Sequence, residues 1–474
     1  MKFIYVLLLF TFTLFASQEY ENALELLQKN PQQAIKVIQR LANNGNIDAQ
    51  LDLYDFYNHG VYLKQDQKKA TYWIQKAAQK SPKAKAILGA RYIQEKNYKQ
   101  GLKYLNLAAK KSDPLALYIL GSIYYDGKIV KQSCSTSTKY HKRAVQSGSM
   151  ESASYFFLAY KNGNKCIQKN KVQEKKWLLT AAKLESPLAL KLVGYSQLFS
   201  KKENPYGLKK DIKKAQKNLL KAAELGDIDA AFRLGQEYES GYRLLKDIQF
   251  ARKLYEFAAN NGHILARYRL GTLYQEGLGV KKDLKKACDL FELATDYPGA
   301  AFNLASCYQN GKGRKKDLKK AHQYFLKAAE KNHLEAQTSC GMDYQYGRGT
   351  PIDMYKARYW YKRAITNSYR STHDYGMEFN HQNKKWRNYA KLNLSTMLAN
   401  GEGGTIDKAK SFQLMKEAAL SGIPSAQNSL AVKYINGEGI AKNKDKAIYW
   451  FKKAAKQGDT MAIQNLKRLG LATF

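Results

Sequence analysis

Apolar residues along this chain return at helical spacing, in blocks separated by glycine-containing turns. In the block Ala266-Arg-Tyr-Arg-Leu-Gly-Thr-Leu-Tyr274, Ala266, Leu270, Leu273 and Tyr274 fall at i, i+4, i+7 and i+8, one face of a helix. Gly277 follows the last periodic position, where a left-handed C-cap is expected. Asp283 then precedes the next apolar run, as an N-cap residue should. That second run, Leu284 to Ala294, carries Ala287, Leu290, Phe291 and Ala294 at the same spacing. The pattern predicts two antiparallel helices held close by small alanines and a short loop. Gly271 inside the first helix costs about 1 kcal/mol against alanine. Glycine nevertheless returns at Gly89, Gly121, Gly194, Gly235 and Gly341, so a neighbouring helix backbone is expected to approach closely there.

The alanine four residues before the Leu-Gly pair sets the register: Ala49, Ala84, Ala116, Ala153, Ala189, Ala230, Ala266, Ala300, Ala336, Ala390, Ala426 and Ala462. The steps are 35, 32, 37, 36, 41, 36, 34, 36, 54, 36 and 36 residues. A period near 36 marks a stacked solenoid, in which each unit buries its apolar face against its neighbours. The reading divides the chain into residues 18–48 as N-terminal capping helices, 49–366 as solenoid, 367–389 as an irregular insertion and 390–474 as solenoid with a C-terminal cap. A shorter insertion, Glu203-Asn204-Pro205-Tyr206-Gly207, accounts for the 41-residue step.

Leu270-Gly271, Tyr274, Gly277-x-Gly279-Val280, Asp283, Lys286-Ala287 and the Ala328-Ala329 pair of the next unit resemble the Sel-1-like repeat (SLR), a relative of the tetratricopeptide repeat. The resemblance runs from about Ala49 to Phe474. Early units depart from it: Ala84 to Lys111 lacks the Gly-x-Gly loop, and Leu158 replaces the helical glycine after Ala153. The resemblance implies an all-α, right-handed α/α superhelical solenoid of about eleven two-helix repeats. It implies a protein-interaction scaffold and not an enzyme. Similar bacterial proteins are often periplasmic or secreted, in envelope assembly, host interaction or immunity against toxins.

The N-terminus fits export. Lys2 is followed by thirteen uncharged residues to Phe15, then Ala16-Ser17, the layout of a secretory signal peptide at 1–17. Thirteen residues are too short for a membrane span; an uncleaved anchor is the other reading. No later stretch is apolar enough to span a bilayer, so no transmembrane segment is expected after signal removal. The composition adds 79 Lys plus Arg against 40 Asp plus Glu, a formal charge of +39. Such charge points to an anionic partner or to solvated helix faces. With export, nucleic acid is not the expected partner, which leaves envelope glycans, anionic lipids and acidic proteins.

Five cysteines follow the signal: Cys134, Cys166, Cys288, Cys307 and Cys340. An odd number leaves at least one thiol unpaired. Cys134 and Cys166 lie near consecutive inter-helix loops and would bridge if those loops stack. Cys307 and Cys340 occupy apolar repeat positions and read as small buried hydrophobes. The intervals lack the regular per-repeat disulfide of the cysteine-rich SLR branch.

Catalytic signatures are missing. Some SLR proteins are linked to β-lactam hydrolysis, but no Ser-x-x-Lys or Lys-Thr-Gly occurs here. Neither does His-Glu-x-x-His, Cys-x-x-Cys or a phosphate loop. The Gly-x-Gly pairs follow helices and read as turn glycines. His373-Asp374 and His381 are close in sequence but lack a third ligand, so neither metal nor other cofactor is expected. Trp73, Trp177, Trp360 and Trp450 stand in the repeat register; Trp386 does not. Its segment, His381-Gln-Asn-Lys-Lys-Trp-Arg-Asn-Tyr389, has the residue types of an interface anchor, or packs an extra helix onto the solenoid. The candidate binding set is Arg358, Tyr359, Tyr361, Tyr375, Trp386, Arg387 and Tyr389. The expected function is an exported adaptor for an envelope, host or toxin protein. The alternative is a basic binder of anionic envelope glycans or lipids.

Overall fold

The computed structural model of the chain describes residues 18–200, 204–367 and 377–471, the side chains of 377–383 excepted. Regular structure among these residues is 25 helices, without strands. The chain divides into two units, one ending at Leu245 and one beginning at Lys246.

In the first unit, Gln18–Lys29 and Pro31–Asn43 precede the helix pairs Ile47–His59/Gln67–Ala78, Pro82–Gln94/Tyr98–Lys110, Pro114–Asp126/Cys134–Gln146, Met150–Asn162/Lys171–Lys183 and Pro187–Gln197/Ile212–Glu224. Ile228–Ser240 closes it. The leading helix is anchored by Tyr20, whose hydroxyl donates to Asp52 at 2.5 Å. Burial pushes the Asp52 carboxyl up to about 7, against the pull of that hydrogen bond. The short insertion lies between Pro187–Gln197 and Ile212–Glu224, where Asn204 donates to the carbonyls of Ser200 (3.0 Å) and Leu208 (2.9 Å).

The second unit starts with Ile248–Asn260 and continues as Ile264–Glu276/Leu284–Glu292, Pro298–Asn310/Leu318–Glu330, Leu334–Tyr346/Met354–Thr366, Met377–Asn400/Lys408–Leu420 and Pro424–Asn436/Lys444–Ala455, ending at Thr460–Arg468. Most helices here have 13 residues; Met377–Asn400 has 24, because the insertion's helical part runs straight into the repeat helix.

Local chemistry sets the boundaries. Asp283, Asp317 and Asp353 accept from the backbone N–H groups of Lys286, Lys320 and Lys356 at 2.9 Å, capping each second helix. First helices of the second unit stop at glycines in the left-handed region, such as Gly277 (φ 77°) and Gly347 (φ 68°). His263 and His333 are N-caps, their Nδ1 accepting from Ala266 and Ala336. Burial holds His333 down at about 4, in the neutral form this cap requires.

Three devices join consecutive repeats. The second glycine of each Gly-x-Gly pair lies directly against the first residue of the preceding second helix. A Cβ at Gly313, Gly349, Gly403 or Gly439 would collide with the carbonyl oxygen of Leu284, Leu318, Met354 or Lys408 respectively. The second device covers helix-terminal carbonyls that lack intrahelical partners. Gln50, Gln337 and Gln427 donate to Ala42, Ala329 and Ala419, each eight residues upstream, at 2.9, 3.2 and 3.2 Å. Arg267 does the same for Ala259 at 3.1 Å. The third is covalent. Cys134–Cys166 and Cys288–Cys307 are disulfides spanning 32 and 19 residues, and each links one repeat to the next. Cys340 is free and buried. Cys307 is therefore a bridge partner, not the lone small hydrophobe expected, because Cys288 on the facing helix lies within bonding reach.

The helical glycines serve the same close packing, with two kinds of neighbour. At Gly89 and Gly194 a Cβ would meet backbone, Leu105 N at 3.0 Å and the Ala215 carbonyl at 3.0 Å. At Gly271 and Gly341 it would meet the rings of Phe291 (2.6 Å) and Tyr361 (2.5 Å).

Candidate binding surface

Within the second unit the insertion is tied to the repeat before it at the second-to-first helix connections. Arg387 donates to the Asn367 carbonyl at 2.6 Å. Asn367 in turn donates from Nδ2 to the Asn332 carbonyl (2.8 Å) and to Gln337 Oε1 (2.9 Å). Arg363 reaches the same corner, donating to Asn332 Oδ1 at 3.0 Å. Trp386 packs beside Tyr389, ring centroids 6.2 Å apart, and lies next to Glu335. Burial pushes the Glu335 carboxyl up to about 7, with the neighbouring Trp386 indole lowering it.

The predicted residues divide by environment. Tyr361 is fully buried; its hydroxyl donates to Gln345 Oε1 (2.8 Å) and accepts from Asn393 Nδ2 (3.1 Å). Arg358 is 7% exposed and donates to the Thr405 carbonyl in the next repeat at 3.1 Å. Tyr359 is 54% exposed, edge-on to Trp360. Trp386, Arg387 and Tyr389 are half-buried. Tyr375, His373 and Asp374 lie outside the described residues, as does the side chain of His381. Tyr359, Arg363, Trp386 and Arg387 therefore surround one corner; Tyr361 joins the repeats within the stack, and Arg358 does so at the opposite end of the helices, against the 401–407 loop.

Tyr359 also belongs to a recurring set. Tyr72-Trp73, Tyr359-Trp360 and Tyr449-Trp450 share one register, and the cation next along the helix lies over the tryptophan ring each time. Lys76 is 5.1 Å from Trp73, Arg363 5.2 Å from Trp360 and Lys453 5.2 Å from Trp450. The repeated Tyr-Trp dipeptide carried this signal.

A polar link escaped sequence reasoning. His322 Nδ1 lies 3.1 Å from Asp343 Oδ2, both side chains buried. His322 stands five residues after its N-cap Asp317, as Cys288 does after Asp283, and Asp343 matches Cys307 in register. One junction is closed by sulfur and the next by a histidine–aspartate contact. No group of three or more His, Cys, Asp or Glu suited to a metal occurs among the described residues, and no described helix is long and apolar enough to cross a membrane.

The Glu335–Trp386 contact gives a pH prediction. A carboxyl raised from about 4.5 to about 7 contributes stability below its unfolded pKa and loses it as pH rises through 7. Tryptophan emission is expected to change between about pH 6 and pH 8 in the wild type, and this component should vanish in Glu335→Gln. An unchanged titration in the variant would refute the contact.

Stacked helix pairs with inter-repeat glycine contacts define this protein as a helical-repeat scaffold. The chain belongs to the Sel1 repeat family, whose pattern matches residues 47–82, 88–113, 114–149, 152–186, 187–227, 228–263, 264–296, 298–333, 334–369, 388–423 and 424–459. It is similar in structure to a protective antigen of uropathogenic Escherichia coli strains displaying an SLR fold (TM-score 0.65, 24% identity, 93% of this chain and 91% of that one). A Sel1 repeat protein from Oxalobacter formigenes matches with TM-score 0.45 and 23% identity over 77% of this chain and 90% of that one. In sequence, it is 28% identical over 128 residues to the ERAD-associated E3 ubiquitin-protein ligase component HRD3B of Arabidopsis thaliana. That match covers 26% of this chain and spans about a fifth of the plant protein.

Proposed function

We propose that this chain is an exported scaffold that holds another protein and performs no chemistry of its own, as a periplasmic or secreted immunity or envelope-assembly factor. The observation that carries the reading is the corner formed by Tyr359, Arg363, Trp386 and Arg387, an aromatic and cationic set placed on a family scaffold where the repeat pattern is interrupted. Tryptophan, tyrosine and arginine dominate the energetics of protein interfaces. The cystines Cys134–Cys166 and Cys288–Cys307 support an oxidising compartment, in keeping with the apolar N-terminal segment.

The test is capture from envelope fractions on immobilised protein. A stoichiometric protein partner should stay bound at high salt, and the double variant Trp386→Ala/Arg387→Ala should lower its affinity at least about tenfold. If no protein stays bound at high salt, or the double variant holds the retained protein as well as the wild type, the reading fails.

A further inference from the structure

The loops between first and second helices in the second unit form one edge. Each second glycine sits on the preceding helix start, so loops 277–283, 311–317, 347–353, 401–407 and 437–443 stack in series. This edge lies at the other end of the helices from the Trp386 corner. Its charge is concentrated: segments 276–286 and 310–320 together carry ten lysines and arginines against three carboxylates. Two of those carboxylates, Asp283 and Asp317, are already engaged as helix caps. Arg314 is held by Asp289 and Glu292 at 2.5 and 2.9 Å. Lys281, Lys282, Lys285, Lys312, Lys315 and Lys316 are exposed and make no ion pair among the described residues.

The same edge bears outward-facing aliphatics. Leu278, Ile352, Ile406 and Ile440 are 45%, 63%, 60% and 40% exposed. The rings of Tyr274 and Tyr308 are covered by Lys286 at 4.2 Å and Lys320 at 5.4 Å, while Tyr346 and Tyr355, either side of loop 347–353, are 59% and 75% exposed, amphipathic rings suited to the headgroup level. Lysines beside protruding aliphatics fit a lipid interface, where the ammonium groups meet phosphates and the side chains enter the headgroup boundary. A soluble polyanion would use the lysines and leave the aliphatics in water.

We propose that this edge docks the protein onto an anionic phospholipid surface, with Lys281, Lys282, Lys315 and Lys316 supplying charge and Ile352 and Ile406 the apolar contact. It leaves the opposite corner free and does not depend on the adaptor reading, which a failure here would not touch.

Co-sedimentation of the full chain with phosphatidylglycerol-containing vesicles tests it. Binding should exceed that to phosphatidylcholine vesicles and fall steeply with added salt. The variant Lys281→Glu/Lys282→Glu/Lys315→Glu/Lys316→Glu should weaken it at least about tenfold. Ile352→Ser/Ile406→Ser should also weaken it. A control with the same charge change in the first unit, Lys99→Glu/Lys103→Glu/Lys110→Glu/Lys111→Glu, should retain most binding. Equal loss in that control means net charge alone acts, and overturns the proposal. Undiminished binding by the isoleucine variant, with full displacement by a soluble anionic polysaccharide, identifies a polyanion site and overturns it too. So does failure of the wild type to bind the vesicles.

Discussion

Gly349→Ala is expected to destabilise the second unit by about 3 kcal/mol or more, while Gly347→Ala costs about 1–2. Both glycines have positive φ, 74° and 68°, so both substitutions carry the left-handed backbone penalty. They differ in what the new methyl meets. At Gly347 the nearest atom is Ile352 Cγ1 at 3.1 Å, part of an exposed side chain that can turn toward solvent. At Gly349 it is the backbone carbonyl of Leu318, fixed within a helix, so the two repeats must separate. Urea unfolding of the two variants against wild type gives the comparison. Equal midpoints would show that the second glycine is only a turn residue.

Removing the Cys134–Cys166 bridge is expected to cost about 3–4 kcal/mol through the larger conformational freedom of the unfolded chain. The bridge encloses a separation of 32 residues. It lies where later repeats place the second glycine: Cys134 is the first residue of its helix, like Leu284 and Leu318. The loop holding Cys166 lacks the Gly-x-Gly pair, so the cystine does the work of a missing close contact. Cys134→Ser/Cys166→Ser should therefore open the middle of the first unit to proteolysis at denaturant concentrations that leave the wild type intact. If the reduced and oxidised proteins unfold together, the bridge is dispensable.

Much of the architecture was legible in the residues. The alanine and Leu-Gly register fixed the repeats, and Gly277, Asp283 and their equivalents marked helix ends, because caps are read from local chemistry. Contacts between repeats were harder. The second glycines looked like ordinary turn residues, since nothing in their own segment reveals the carbonyl facing them. Cys307 read as a core residue because its register position is apolar in other repeats; its partner Cys288 lies on a different helix at a spacing that no motif announces. The Glu335–Trp386 contact was hidden for the same reason. Arg358, Tyr359 and Tyr361 were chosen for residue type and nearness in sequence, but a helix sends neighbours in different directions, two inward and one to solvent. The Tyr-Trp recurrence would have separated Tyr359 from the rest.

The zero-gap seating of each loop on its predecessor also restricts where the second unit can change length. A residue added to any of those loops has no space to occupy and would wedge adjoining repeats apart. The far ends of the helices carry no such restriction, and the chain's largest departure from its period, between residues 367 and 389, falls there. Grafted peptides or reporter tags should accordingly be accepted on that side and rejected on the lysine-bearing one.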